Sequence, residues 1–155
     1  MIKLILCEGE TDAILLSYYL GKTAGWEHTS KAPHGANIQK CKDNESVNWY
    51  KKGKDYLLIC GVGGKDNFGN FFDAMIKNPL VTSNVFEKIA IVTDRDDRTV
   101  DDICSSLSED TSGFFSNIQD RVWCENLYQD AYQMERIVQL LLVIIPKEHF
   151  GALEN

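Results

Sequence analysis

The chain has no apolar run long enough to cross a bilayer. Its longest, Leu140 to Pro146, falls far short of the roughly 20 residues a spanning helix needs. The amino terminus opens on a strand-like run without a signal-peptide pattern, so the expected location is the cytoplasm and no membrane partner is expected. There is no Cys-x-x-Cys pair, the five cysteines are an odd number, and Cys7 and Cys60 sit inside apolar runs where free thiols pack as small hydrophobes. Disulfides and a structural zinc site are disfavoured on those grounds. Internal repeats and low-complexity segments are absent. Basic residues are in the minority, 16 against 23 acidic ones for a net charge of −7, which argues against the whole surface being a polyanion-binding face.

What remains is the composition of a soluble globular protein, 44% hydrophobic and 25% charged over 155 residues, and it predicts one domain over 1–155. The charge is unevenly placed. Residues 31–55 hold six lysines against Asp43, Glu45 and Asp55, whereas residues 94–155 hold five basic and thirteen acidic residues. Such a chain meets nucleic acid only locally, or through metal ions that neutralise its carboxylates.

Four short apolar runs read as strands buried on both faces: Ile2 to Cys7, Tyr56 to Cys60, Lys88 to Thr93 and Leu140 to Ile145. Helical patterns follow three of them: one through Ala13, Leu16 and Leu20, stopped by Gly21; one from Asn67 to Lys77, ending before Pro79; and one from Thr99 to Leu107. The alternation predicts an α/β fold, a parallel sheet of about four strands flanked by helices. Residues 22–55 read as a polar insertion, partly paired in short strands. Residues 110–138 read as an extra hairpin or short helix. No closing helix is apparent after the fourth strand, so the chain reads as a piece of a longer protein.

In an open parallel sheet, ligands bind at the carboxyl ends of the strands. Glu8, Glu10 and Asp12 follow the first strand, Gly61, Gly63, Gly64 and Lys65 the second, and Asp94, Asp96 and Asp97 the third; Glu154 lies beyond the fourth. Gathered carboxylates repel one another, and removing them from water costs several kcal/mol unless a cation pairs with them. Oxygen-only ligands suit Mg²⁺ or Mn²⁺, whose usual work at such sites is phosphoryl transfer. The plainer reading is that Asp96, Asp97, Asp101 and Asp102 only cap and solvate a helix start. It applies less well to Glu8 with Asp94 and Asp96, which end two buried strands.

The run Ile5-Leu6-Cys7-Glu8-Gly9-Glu10-Thr11-Asp12, followed later by Ile91-Val92-Thr93-Asp94-Arg95-Asp96, resembles the Toprim domain of topoisomerases, bacterial primases, OLD-family nucleases and recombination-mediator proteins. Gly63-Gly64-Lys65-Asp66-Asn67 and Gly151-Ala152-Leu153-Glu154 resemble the OLD-nuclease branch, including small standalone Toprim proteins. The resemblance covers about residues 1–110, and extends to 155 if the tail is counted. It implies a Rossmann-like fold and Mg²⁺- or Mn²⁺-dependent nuclease or nicking activity on nucleic acid, DNA rather than RNA. It places the metal on Asp94 and Asp96, gives Glu8 a second metal or a proton, and adds Glu154 as a ligand. Lys65 stabilises charge on the transferring phosphate, Gly9 lets backbone and phosphate approach closely, Gly63 and Gly64 form the phosphate loop, and Asp12 and Asp97 belong to the motifs. The chain has no ATPase domain and no tyrosine-bearing cleavage domain, so activity would need a protein partner or a further C-terminal segment. The alternative is a non-catalytic nucleic-acid or protein interaction module of the recombination-mediator kind.

Rival motifs fit less well. A Walker loop over Gly61 to Asp66 would need glycine at Ile59 and Ser or Thr at Asp66. Aspartate-nucleophile phosphatases place their Asp-x-Asp after the first strand, and a phospho-receiver would not open with Glu8-Gly9. His28, His34 and Cys41 match no common metal-site spacing. Within the insertion, Lys51, Lys52 and Lys54 with Trp49 are candidates to meet a phosphate backbone and stack a base, against the plainer reading of a solvated lysine face over tucked aromatics.

Overall fold

The four apolar runs become four adjacent strands. In a computed structural model, which describes residues 1–83, 85–111 and 114–146, β1 (Ile2–Cys7), β4 (Asp55–Gly61), β5 (Lys88–Asp94) and β7 (Glu135–Ile145) lie parallel in the order β4-β1-β5-β7. The sheet is larger than four strands and mixed in direction. β2 (Glu27–Thr29) and β3 (Ser46–Lys52) extend it antiparallel beyond β4, and β6 (Trp123–Gln129) pairs antiparallel with β7 at the other edge, giving seven strands. These three escape a search for continuous apolar runs because they lie at or near the edges. β6 alternates exposed and buried positions along its whole length, the pattern of a strand with only one covered face. The insertion thus supplies two strands, and residues 110–138 realise the hairpin rather than the short helix.

One face of the sheet carries the main core. Leu4, Leu6, Leu58, Ile89, Ile91, Leu140 and Leu142 pack against Phe72, Ile76, Leu80, Ile103 and Leu107. Those partners come from the π-helical turn Phe72–Ile76, α3 (Lys77–Ser83) and α4 (Val100–Asp110), and α2 (Phe68–Phe71) adds Phe68 and Phe71. The helical stretch runs past Pro79 instead of stopping before it. Pro79 falls in the first turn after the π-helical turn, where a missing N–H is best tolerated. On the opposite face, α1 (Glu10–Ala24) packs Ala13, Leu16 and Leu20 on Ile5, Cys7, Leu57 and Ile59 of β1 and β4. α1 also runs past its expected stop at Gly21, where a side chain would press to 3.3 Å from the Trp26 carbonyl. Its end is Gly25, whose φ of 72° supplies the left-handed cap and whose N–H bonds the Leu20 carbonyl.

Candidate functional site

The register of β1 sets the site. Cys7 lies opposite Gly61 of β4 and Val92 of β5, so the next residue, Glu8, emerges between the carboxyl ends of both neighbours. Its Oε1 accepts the Thr93 hydroxyl proton at 2.7 Å and the Asp94 N–H at 3.3 Å. Burial raises the Glu8 carboxyl above the ordinary range, and the nearby Asp94 and Asp96 carboxylates push it further; the two hydrogen bonds act in the opposite direction. Three carboxylates from two strand ends therefore share one electrostatic neighbourhood.

Lys65 completes it from the β4 side. Its Nζ stands 3.1 Å from Asp96 Oδ2, and that hydrogen bond and charge raise its pKa, with Arg98 opposing. The pair is partly exposed, so it stabilises the fold by no more than about 1 kcal/mol. Its consequence is to orient Asp96, which has φ of 51°, in a left-handed conformation that aspartate tolerates better than most residues. Below it, the Arg98 N–H closes a turn on the Arg95 carbonyl at 3.1 Å, and the Arg95 N–H ties that turn to the end of β7 through the Ile145 carbonyl at 2.8 Å.

The glycine segment does something other than expected. The N–H groups of Gly63 and Gly64 both donate to the Glu8 carbonyl, at 2.9 and 2.7 Å, and Val62 N–H donates to the Cys7 carbonyl at 2.9 Å. As placed, those donors are engaged by the backbone of Glu8 and do not form a phosphate cradle; the segment lashes the end of β4 to Glu8. Gly63, at φ 87°, and Gly64, at φ 125°, adopt backbone that favours glycine. The Gly63 carbonyl is held by the Asn44 and Asn67 amides at 3.1 and 2.8 Å.

Gly9 behaves differently. It is extended, at φ −140°, and a Cβ there would meet only Asp12 Oδ2, at 3.8 Å. The local backbone does not demand glycine here, although glycine is a common residue at such a helix N-cap. Asp12 is buried and accepts the Gly9 N–H at 3.0 Å, so its work is to cap α1. Asp97 is exposed. Glu154 lies outside the described residues.

The lysine-rich insertion is not part of this cluster. Lys51, Lys52 and Lys54 sit at the β3–β4 turn, where Lys52 pairs with Asp55. That is the amino end of β4, about 20 Å along the sheet from Gly61 at 3.3 Å per residue. Trp49 is a correction: it is only 6% exposed and packs edge-on to Tyr56 in the core, so it cannot stack a base. Residues that sequence reasoning missed are Thr93, the buried hydroxyl that orients Glu8, and Asn44 and Asn67. Thr93 carried a signal, as the polar residue closing an otherwise apolar strand, and Asn67 stood in the Gly63–Asn67 segment without a role of its own, while Asn44 carried none.

The donor chemistry suits a hard cation. The oxygens are carboxylate only, and burial together with their mutual repulsion raises Glu8; Mg²⁺ needs only one or two carboxylates when waters and phosphate oxygens complete its shell. A ready-made cage is lacking: among the described residues no three His, Cys, Asp or Glu side chains converge in a metal-holding group.

No family model matches the chain, and no curated protein matches it. The crystal structure of a hypothetical protein from Pyrococcus horikoshii OT3 is similar, with a TM-score of 0.55 and 19% identity over 90% of this chain and 54% of that one. The chain thus spans about half the length of that protein, and the likeness concerns the α/β fold alone. No described helix is long and apolar enough to cross a membrane.

Proposed function

We propose that the chain carries a Toprim-like domain that performs Mg²⁺- or Mn²⁺-dependent phosphoryl transfer on nucleic acid, as a nuclease or nicking activity on DNA. The observation that carries this reading is the reach of Glu8 to the Thr93 hydroxyl and the Asp94 N–H, which ties the acidic ends of β1 and β5 together near the Lys65–Asp96 pair. Asp94 and Asp96 would hold the metal, which supplies Lewis-acid stabilisation of a phosphoryl oxygen when bound. Glu8, whose carboxyl burial raises above the ordinary range, is suited to exchange a proton. Lys65 releases Asp96 and turns its ammonium to the phosphate. Gly9, without a side chain, lets the backbone between Glu8 and α1 approach that phosphate.

The test is cleavage of supercoiled and single-stranded DNA with Mg²⁺ or Mn²⁺, by wild type and by the Asp94→Asn/Asp96→Asn variant. Metal-dependent cleavage by wild type, lost in the folded variant, is the expected result; equal cleavage by both would sink the proposal. One observation favours the non-catalytic alternative. Glu8 and Asp96 already have protein partners in Thr93, Asp94 and Lys65, so the cluster is satisfied without a metal. Binding of DNA without turnover, by wild type and variant alike, is the outcome that reading expects.

A further inference from the structure

Helix α1 is apolar on two sides. Ala13, Leu16 and Leu20 pack on the sheet, while Ile14, Leu15, Tyr18 and Tyr19 on its outward side are 49 to 66% exposed. Only Ser17 interrupts the apolar residues from Ala13 to Leu20, and an apolar outward side belongs in a buried position. Beside it, the same face of the sheet holds a second bare surface. α1 covers β1 and β4, but no described helix packs over β7 and β6 on that side. There Trp123, Leu127 and Ile137 are 48, 60 and 53% exposed. Leu127 pairs with Ile137, and Trp123 with Leu141, so each apolar pair spans both strands, with the Glu125–Gln139 pair between them. β7, parallel to β5, is of a kind ordinarily covered on both faces.

Ridge and trough adjoin. Between them lies a cavity of about 270 Å³, walled by Leu20 and Trp26 on the α1 side and by Trp123 on the β6 side, with Ile5 and Ala90 in its floor. Lys3 and Lys88 lay their ammonium groups over the Trp26 and Trp123 rings, at 5.6 and 5.1 Å from the ring centres, and so stand at its rim already partnered.

We infer that this face is the interface of a homodimer in which each copy seats its α1 ridge in the trough of the other. A two-fold axis lying in the interface plane, parallel to the strands and passing between ridge and trough, turns one copy face-down on the other and carries each ridge onto the facing trough, which is the condition for an isologous interface. The size agrees. Six side chains, Ile14, Leu15, Tyr18, Trp123, Leu127 and Ile137, each of roughly 200 Å² and a little over half exposed, present on the order of 650 Å² per copy, close to the roughly 800 Å² per partner of a standard interface. The arrangement leaves the Glu8 cluster at the strand ends uncovered, and it stands whether or not the proposed chemistry does.

The experiment is sedimentation velocity of the full chain across a concentration series, with two variants. Leu15→Glu/Tyr18→Glu charges the ridge, and Leu127→Lys/Ile137→Lys charges the trough. These are surface positions, and circular dichroism checks the fold; the single variants Tyr18→Glu and Leu127→Lys serve if either double variant unfolds. Wild type sediments as a dimer and each variant alone as a monomer. Mixed, the two variants regain a dimer, because the acidic ridge meets the basic trough while the other ridge and trough are native. Monomeric wild type, dimeric variants, or a mixture that stays monomeric overturns the inference; the last would mean that ridge does not meet trough.

Discussion

Gly61 is where the fold presses hardest on the site. A Cβ at this position would lie 2.7 Å from the backbone carbon and oxygen of Gly9 and 2.9 Å from the Ser46 hydroxyl. Ordinary contacts between carbons lie at about 3.5–4.0 Å, so Gly61→Ala must open the gap between β4 and the Glu8-Gly9 turn by about 1 Å. That turn cannot yield freely. The Gly9 N–H is held by Asp12 Oδ2 at 3.0 Å, its carbonyl accepts the Ala13 N–H at 3.1 Å, and the Glu8 carbonyl is bound by Gly63 and Gly64. Overpacking against such a frame costs about 2 kcal/mol, which in a chain of this length lowers the melting temperature by about 4–8 °C. Because the displaced residues carry Glu8, any metal-dependent cleavage should fall by about 100-fold, the usual cost of a 1 Å misplacement at a reacting centre. Thermal melts and initial cleavage rates measure the two effects. A variant with an unchanged melting temperature would refute the packing argument, and one that loses stability but keeps full activity would refute the link between packing and site.

Three further outcomes follow from the same geometry. Gly9→Ala should cost no more than about 1 kcal/mol, the difference between glycine and alanine at a helix N-cap, yet reduce cleavage more than its melting curve explains; equal small effects on both would remove the ligand-approach role. Glu8 has a raised pKa in the fold, so its favourable contribution is present below the unfolded carboxyl value of about 4.3 and is lost as pH rises through the folded value. Glu8→Gln is therefore more stable than wild type at neutral pH, with the gain fading towards pH 4, and denaturant unfolding at several pH values reads the difference; a less stable variant at neutral pH would reverse the argument. Phe72 is fully buried with its ring against Phe114 and Phe115, so Phe72→Ala should cost about 3–5 kcal/mol, and a loss below 1 kcal/mol in urea unfolding would show that the π-helical turn collapses into the space.

The sequence was most legible where strands are apolar on both faces. β1 and β4 announced themselves as apolar runs because helices cover both their faces, β5 and β7 because they carry apolar residues on both faces although only one is fully buried, and the carboxylates that end β1 and β5 were visible because charge at the end of an apolar strand is conspicuous. β3 and β6 were not legible in that way. β6 shows water its Trp123, Glu125, Leu127 and Gln129, so its alternation merges with the polar segments around it. Gly21 misled because a helix can absorb one glycine at a cost of about 1 kcal/mol, whereas Gly25 ends the helix through its dihedral angles. Trp49 misled because composition places it among lysines, while the pleat of β3 turns it to the core, on the face opposite Tyr50 and Lys52. Nor could spacing reveal that the donors of Gly63 and Gly64 face the Glu8 carbonyl, since that depends on how β1 and β4 meet.

The most direct test of the carboxylate cluster is calorimetric titration of the full chain with Mn²⁺, for wild type and for Asp94→Asn/Asp96→Asn. Saturable binding by wild type that the folded variant has lost is the predicted result. The same titration curve for both proteins would contradict the assignment of Asp94 and Asp96 as metal ligands, and with it the proposed chemistry.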